Sequence, residues 1–134
     1  MIVKFKVPSF VAAMFFAIAT CAGAAEHTTD SLDTVKKRVS EKQAVLVDVR
    51  EEGEWKQGHI EGAKLLPLSE LEETKSAEKL KRQLPADKII YVHCYSGVRS
   101  LTAAKILSQH GFETRPLKPG YKELLKAGFK KAEK

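Results

Sequence analysis

Cys94 is the residue around which chemistry could be organised. It stands in His93-Cys94-Tyr95-Ser96-Gly97-Val98-Arg99-Ser100, directly after the apolar run Ile89-Ile90-Tyr91-Val92 and before the helical pattern Leu101-Thr102-Ala103-Ala104-Lys105-Ile106-Leu107. A thiol is thus placed between the end of a strand and the start of a helix. Free backbone N–H groups and the macrodipole at a helix N-terminus favour negative charge, so a thiolate is stabilised there. Gly97 lets the loop curl tightly, and Arg99 adds a fixed cation. A buried structural cysteine is the plainer alternative, but Gly-Val-Arg-Ser at a strand-to-helix turn favours a nucleophile. A cation in a first helical turn opposes the dipole, and binding of a substrate anion would account for Arg99. Tyr95, Ser96, Gly97, Val98, Arg99 and Ser100 are therefore the candidate substrate-binding set. Ser96 and Ser100 are read either as caps or as hydroxyl donors to sulfur.

The second cysteine lies in a different setting. Lys4 and Lys6 form a short basic region, Val7 to Thr20 is mostly apolar, and Ala22-Gly23-Ala24 is a small-residue cleavage pattern. This is the layout of a secretory signal peptide, too short for a comfortable membrane span. Lipidation at Cys21 ranks below ordinary cleavage, because Thr20 is a poor residue before a lipidated cysteine. The expected division is a cleaved signal over residues 1–24, a leader and first helix over 25–43, and a domain over 44–130. The expected location is outside the cytoplasm, in the periplasm, with no stable membrane association after cleavage. A mature chain cut after Ala24 would keep Cys94 as a lone thiol, with no partner for a structural disulfide.

The 134-residue chain suits one compact domain. Its net charge is +6, and without Lys4 and Lys6 the balance is 21 basic against 17 acidic side chains, or +4. That mild excess suits small anionic substrates. It gives no nucleic-acid signature, since no basic stripe interleaves with aromatics. Lys122, Lys126, Lys130, Lys131 and Lys134 read as a solvated helix face and tail. The four histidines are scattered without ligand spacing, so no metal site is expected. No Gly-rich nucleotide loop is present and no cofactor is expected.

The elements that must position Cys94 follow from hydrophobic patterning. Glu26 to Asp30 reads as a short polar leader, and Ser31 to Ser40 as a helix capped by Asp30 or Ser31. Ala44 to Val49 and Ile89 to His93 read as strands, Ala63 to Pro67 and Phe112 to Leu117 as shorter ones. Helices are expected over Glu51 to Gln57, Ser69 to Glu73, Ser76 to Leu84, Ser100 to His110 and Tyr121 to Ala127, with Gly111 closing the fourth of these. Strands alternating with helices predict an α/β fold with a mostly parallel central sheet flanked by helices. Ligands in such sheets bind beyond the carboxyl ends of the strands, where Asp48, Arg50 and Cys94 all fall. Asp48 and Arg50 are expected to pair and brace the loop, because a carboxylate beside the thiolate would oppose its ionisation. His59 reads as a structural hydrogen-bonder and Trp55 as core. Strand alternation turns His93 away from the loop.

Leu46-Val47-Asp48-Val49-Arg50-Glu51, Glu54-Trp55, Gly58-His59-Ile60, Gly62-Ala63 and Leu66-Pro67-Leu68 resemble the N-terminal signature of rhodanese domains. Tyr91 to Ser100 resembles the rhodanese active-site loop, and Ala103-Ala104, Leu107 and Gly111-Phe112 its following helix. With the signal pattern, the chain is similar to small exported single-domain sulfurtransferases of the phage-shock-protein-E type. One departure stands near the end: members often carry Gly-Gly and a Trp where this chain has Pro119-Gly120-Tyr121-Lys122-Glu123-Leu124. The resemblance implies a thiosulfate sulfurtransferase. Cys94 would take the outer sulfur of thiosulfate as a persulfide, release sulfite, and pass the sulfur to cyanide or a thiol acceptor. Backbone N–H groups of Tyr95 to Ser100 would cradle the anionic sulfur.

Two other readings share these residues. A sulfur-carrier or redox-binding module would hold the persulfide for a partner. A cysteine phosphatase or arsenate reductase also sets a thiolate and an arginine in an anion-binding loop. Such loops place five residues between the two, whereas Tyr95, Ser96, Gly97 and Val98 make four here. A shorter loop makes a smaller cradle, better suited to sulfur than to a tetrahedral oxyanion.

Overall fold

The computed structural model of the protein describes residues 26–133. The candidate signal over 1–24, with Cys21 and Ala22-Gly23-Ala24, lies outside the described residues. The element order is α1 (Leu32–Ser40), β1 (Ala44–Asp48), α2 (Glu52–Gln57), β2 (Lys64–Leu65), α3 (Leu68–Glu73), α4 (Ala77–Gln83), β3 (Ile89–His93), α5 (Val98–Gln109), β4 (Thr114–Pro116) and α6 (Tyr121–Lys126). The four strands form one parallel sheet in the order β2-β1-β3-β4, as the alternating pattern predicts. No described helix is long and apolar enough to cross a membrane.

The continuous apolar runs of β1 and β3 are buried on both faces. One face carries Val47, Val49, Ile90, Val92 and Cys94 against Leu71, Leu80, Ala103 and Leu107 of α3, α4 and α5. The other carries Ala44, Leu46 and Tyr91 against Val35 of α1 and Leu124 of α6. Alternation thus sends Cys94 to the α5 side and His93 to the opposite side, beside its register partner Asp48.

Three local outcomes differ from the sequence expectations. Helix α5 begins at Val98 rather than Ser100, because Gly97 adopts a left-handed φ of 88° and serves as its N-cap. Val98, Arg99 and Ser100 therefore form the first helical turn, and the loop shrinks to Cys94–Gly97. Strand β2 holds only Lys64 and Leu65, since Pro67 has no N–H and caps α3. Residues 26–30 are not a loose leader. The Thr28 N–H donates to the Pro116 carbonyl at 2.8 Å, extending past the β4 edge. Ser31 caps α1, its hydroxyl accepting from the Thr34 N–H at 3.2 Å. Asp30 is left to act as a hub, its Oδ2 accepting from Tyr91 Oη at 2.7 Å, Arg115 Nη1 at 2.8 Å and Arg38 Nη1 at 3.0 Å. The Arg115 hydrogen bond, followed by that of Tyr91, holds the Asp30 carboxyl below the usual carboxylate range.

His93 is fully buried, and neither ring nitrogen has a protein hydrogen-bond partner among the described residues. Its Nε2 lies 3.7 Å from Asp48 Oδ2. Burial pushes its pKa below the ordinary 6.5. As pH falls through 6.5, the unfolded chain takes up a proton at this residue that the folded protein refuses, so stability must fall. The slope attributable to His93 is at most about 1.4 kcal/mol per pH unit. Urea unfolding midpoints between pH 7.5 and 5 should decline in the wild type and decline less in His93→Gln, whose side chain does not titrate. Parallel profiles in the two proteins would refute this.

Candidate functional site

Cys94 follows β3 directly and is fully buried. The Gly97 N–H donates to its Sγ at 3.0 Å, closing a tight turn on the sulfur. The first turn of α5 adds backbone N–H groups that have no intrahelical partner. The sulfur therefore sits at the positive end of a helix of twelve residues, the setting expected from the sequence.

Gly97 is the mechanical centre of this turn. Its carbonyl accepts from the Ser100 hydroxyl at 2.8 Å and from His27 Nε2 at 2.7 Å. A Cβ at position 97 would fall 2.5 Å from the Lys118 carbonyl oxygen. The Ser100 hydroxyl also lies 3.1 Å from the Leu117 carbonyl. Ser100 was expected as a cap or a donor to sulfur, but its fully buried hydroxyl is turned to backbone carbonyls, tying the loop to the segment after β4. That same segment presses on the loop again at Gly120. A Cβ there would overlap the Tyr95 carbonyl oxygen, and the Tyr121 N–H donates to the Cys94 carbonyl at 2.9 Å.

Arg99 does not stand free for an anion. It grips Glu54 of α2 in a two-pronged pair, with Nη1 to Oε2 at 2.7 Å and Nη2 to Oε1 at 2.9 Å. Glu54 thus supplies a reason for a cation in this first turn, one that the sequence reading missed. The Arg99 hydrogen bond holds the Glu54 carboxyl down at about 2, and Glu54 in turn raises the Arg99 pKa. Ser96 is exposed, and Tyr95 and Val98 remain 49% and 67% exposed, an apolar rim around the turn.

Asp48 and Arg50 form a buried pair. Arg50 Nη2 donates to Asp48 Oδ2 at 2.8 Å and to the Gly58 carbonyl at 2.9 Å, and Arg50 Nε donates to Asp48 Oδ1 at 3.0 Å. The Arg50 guanidinium carbon lies 4.1 Å from the centre of the Tyr121 ring. The pair is therefore packed on the residue whose N–H holds the Cys94 carbonyl. Trp55, expected in the core, is half-buried and stacks on His59 with ring centres 3.6 Å apart. His59 Nδ1 lies 3.1 Å from the Trp55 carbonyl, a structural contact. The structure thus brings Asp48, Arg50, Cys94, Gly97, Arg99 and Ser100 into one neighbourhood. His27, Glu54, Gly120 and Tyr121 join them. Glu54 had an earlier signal through Glu54-Trp55 in the N-terminal signature, and Gly120 and Tyr121 had one through the departing segment Pro119 to Leu124, whereas His27 had none.

Beside the turn opens a cleft of about 480 Å³ between Arg50, Glu54, Gly58, Tyr95, Tyr121, Lys122 and Lys131. Its position at the carboxyl ends of β1 and β3 is where parallel sheets bind ligands.

Comparison with known proteins agrees with this geometry. A family model for the rhodanese-like domain matches residues 31–127. The Bacillus subtilis protein YqhL is 39% identical over 87 residues, covering 64% of each chain. A second Bacillus subtilis relative, YrkF, provisionally named as a sulfur carrier protein, is 34% identical over 84 residues, 62% of this chain and 42% of that one. The aligned part is thus less than two thirds of either curated relative's length. The human single-domain sulfurtransferase TSTD1 superposes with a TM-score of 0.62 at 27% identity, covering 78% of this chain and 97% of that chain. A rhodanese-related protein of Thermoplasma volcanium gives a TM-score of 0.62 at 28% identity, covering 75% of this chain and 93% of that one. With a four-stranded parallel sheet, a cysteine turn capped by Gly97, and a family match across residues 31–127, this chain belongs to the rhodanese family.

Proposed function

We propose that this chain is a thiosulfate sulfurtransferase that carries sulfane sulfur as a persulfide on Cys94. The observation that carries the reading is the Gly97 N–H aimed at Cys94 Sγ at 3.0 Å, at the N-terminus of α5. The Cys94 thiolate attacks the outer sulfur of thiosulfate. A new Sγ–S bond forms, the S–S bond of thiosulfate breaks, and sulfite leaves with the bonding pair. The product persulfide is an anion, held by the same N–H groups that held the thiolate. Cyanide or a thiolate then attacks the outer sulfur, and Cys94 leaves as thiolate. Dividing the transfer into two displacements is nucleophilic catalysis, and no cofactor is called for.

The other residues have supporting parts in this scheme. Asp48 and Arg50 brace the turn through Tyr121. Glu54 holds Arg99 beside the mouth of the turn, where its cation complements the sulfonate end of thiosulfate. Tyr95, Ser96 and Val98 line the approach, while Gly97 and Ser100 fix the backbone. A sulfur-carrier role is the second reading, favoured by the likeness to YrkF. The phosphatase alternative fits less well, because only four residues separate Cys94 from Arg99. The leader pattern supports export to the periplasm as a single rhodanese-like domain of the phage-shock-protein-E type.

Incubation with thiosulfate should add the mass of one sulfur atom to the protein, and cyanide should remove it as thiocyanate. Cys94→Ser should abolish both, because a hydroxyl is a far poorer nucleophile at neutral pH. Turnover of the serine variant at the wild-type rate would sink the proposal. Sulfur loaded but released only to a partner protein would select the carrier reading. Intact mass of protein recovered from its native host should also show a chain beginning near Ala25.

Arg99→Ala should lower kcat/KM for thiosulfate about ten- to a hundredfold, the value of a charge-assisted contact of roughly 1.5–3 kcal/mol. Arg99→Lys should recover only part, because lysine cannot hold Glu54 with two prongs. Glu54→Gln should be less stable than wild type above pH 4.5, and the difference should shrink and vanish as pH falls toward 2. The stability supplied by the lowered Glu54 carboxyl is present above pH 4.5 and is lost as pH falls toward 2. An acid-unfolding curve of Glu54→Gln identical to wild type would remove this pair from the account.

His27 is expected to position the turn without touching substrate. His27→Ala should lower kcat several-fold, an effect of about 1 kcal/mol for one lost hydrogen bond, with little change in the thiosulfate KM. His27→Gln can present an amide N–H at the same reach and should restore most of the loss. Equal kcat in all three proteins would show that the Gly97 carbonyl needs no second donor.

A further inference from the structure

We infer that the cleft beside the cysteine turn binds the sulfur acceptor, and that this acceptor is a small thiol carrying carboxylate groups. The inference rests on the persulfide reading above and names the site and chemical class of the second substrate.

Two walls of the cleft touch the reacting residue directly. Tyr95 follows Cys94 in the chain, and the Tyr121 N–H holds the Cys94 carbonyl at 2.9 Å. A molecule lying between these rings is next to the turn that holds the sulfur. At about 480 Å³ the cleft falls within the range of sites that hold small organic ligands, and it far exceeds what cyanide or sulfite needs.

Its charge is one-sided once the internal pairs are set aside. Arg50 is answered by Asp48 and Glu54 by Arg99. Lys122 and Lys131 remain, both exposed and in no ion pair among the described residues. Sequence alone assigns them to a solvated face and tail, but the fold brings both to the cleft. Lys122 Nζ stands 5.7 Å from the centre of the Tyr95 ring, over the rim of the turn. Lys131 is held by backbone pairing: Ile60 and Lys131 form an antiparallel bridge, with the Glu61 N–H donating to Lys130 O and the Ala132 N–H to His59 O, each at 2.8 Å. Gly58 makes room for this closure. Its φ is 155°, and a Cβ there would fall 2.7 Å from Tyr121 Oη and 2.8 Å from Lys131 Cε. Two cations in no ion pair among the described residues thus line an aromatic cleft, matching the carboxylates of a ligand whose thiol reaches the cysteine turn.

In the transfer, the acceptor thiolate attacks the outer sulfur of the Cys94 persulfide. An S–S bond forms on the acceptor, the bond to Sγ breaks, and the Cys94 thiolate is regenerated, with no change in the total of electrons or charge.

The test compares mercaptosuccinate, with two carboxylates, against neutral 2-mercaptoethanol as acceptors from thiosulfate. The readout is the ratio of their kcat/KM values on each protein, which cancels differences in the loading step. Lys122→Glu and Lys131→Glu should each lower the ratio about two- to fivefold, and the double variant about tenfold, as expected for solvent-exposed charges. Raising the salt from 20 to 500 mM should lower the wild-type ratio and leave that of the double variant nearly flat. A ratio untouched by charge reversal would overturn the proposal. A binding arm does not depend on sulfur transfer: (methylthio)succinate should shift the backbone amide resonances of Tyr95, Tyr121, Lys122 and Lys131, and the double variant should weaken that binding. Absence of those shifts also overturns the cleft assignment. Failure of thiosulfate to load Cys94, with the shifts present, would instead overturn the persulfide reading.

Discussion

Everything at the site depends on two stretches of backbone pressed closer together than side chains allow. The turn after β3 and the connection from β4 to α6 meet at Gly97 against Lys118 and at Gly120 against Tyr95. At Gly97 the left-handed φ of 88° adds a second demand for glycine. This approach lets the Tyr121 N–H reach the Cys94 carbonyl and the Ser100 hydroxyl reach the Leu117 carbonyl. It also aims the Gly97 N–H back at Sγ. The electrostatics of the sulfur are thus a consequence of packing. The N–H groups that stabilise an anion are pre-set by backbone contact and need no reorganisation when charge appears.

Charged side chains brace this arrangement. Asp48 and Arg50 leave β1 and brace Tyr121. Glu54 ties α2 to the first turn of α5 through Arg99. Asp30 ties the segment before α1 to β3 and β4 through Tyr91 and Arg115. Asp48–Arg50 is buried, where removing one partner would strand a charge. The Glu54 and Asp30 pairs are partly exposed, so their worth lies more in fixing geometry than in net stability. His93 is the exception: it has no such partner within hydrogen-bond distance among the described residues, and its imidazole is kept neutral by burial.

The sheet, the cysteine turn and the family were legible because they rest on local signals. β1 and β3 are unbroken apolar runs, and Cys94 with Gly97 marks the turn between a strand and a helix. The contacts that finish the site were not legible, because they join residues far apart in the chain. His27 reaches Gly97 across 70 positions, Arg99 reaches Glu54 across 45, and nothing in either local sequence announces the meeting. Ser100 misled for a related reason. A serine in a first helical turn looks like a cap or a donor, and only the approach of Leu117 decides where its hydroxyl turns. Trp55 reads as core in the sequence, yet it lies on a short helix with no buried residue and finds the His59 ring instead.

Burial of Cys94 sets a final constraint on the proposed chemistry. A fully buried nucleophile is closed to bulky reagents, and the turn must give way before even a terminal atom reaches it. Thiosulfate presents such an atom in its outer sulfur. Once that sulfur is bound, the reactive centre moves outward by one S–S bond, about 2 Å. The second reagent then meets an atom nearer the rim, where Tyr95 is exposed and the cleft begins. A narrow turn for the sulfur and a wider slot beside it would divide the proposed work between two substrates. In the proposed chemistry the turn would select for the sulfur that all donors and acceptors share, and the slot for whatever else the acceptor carries.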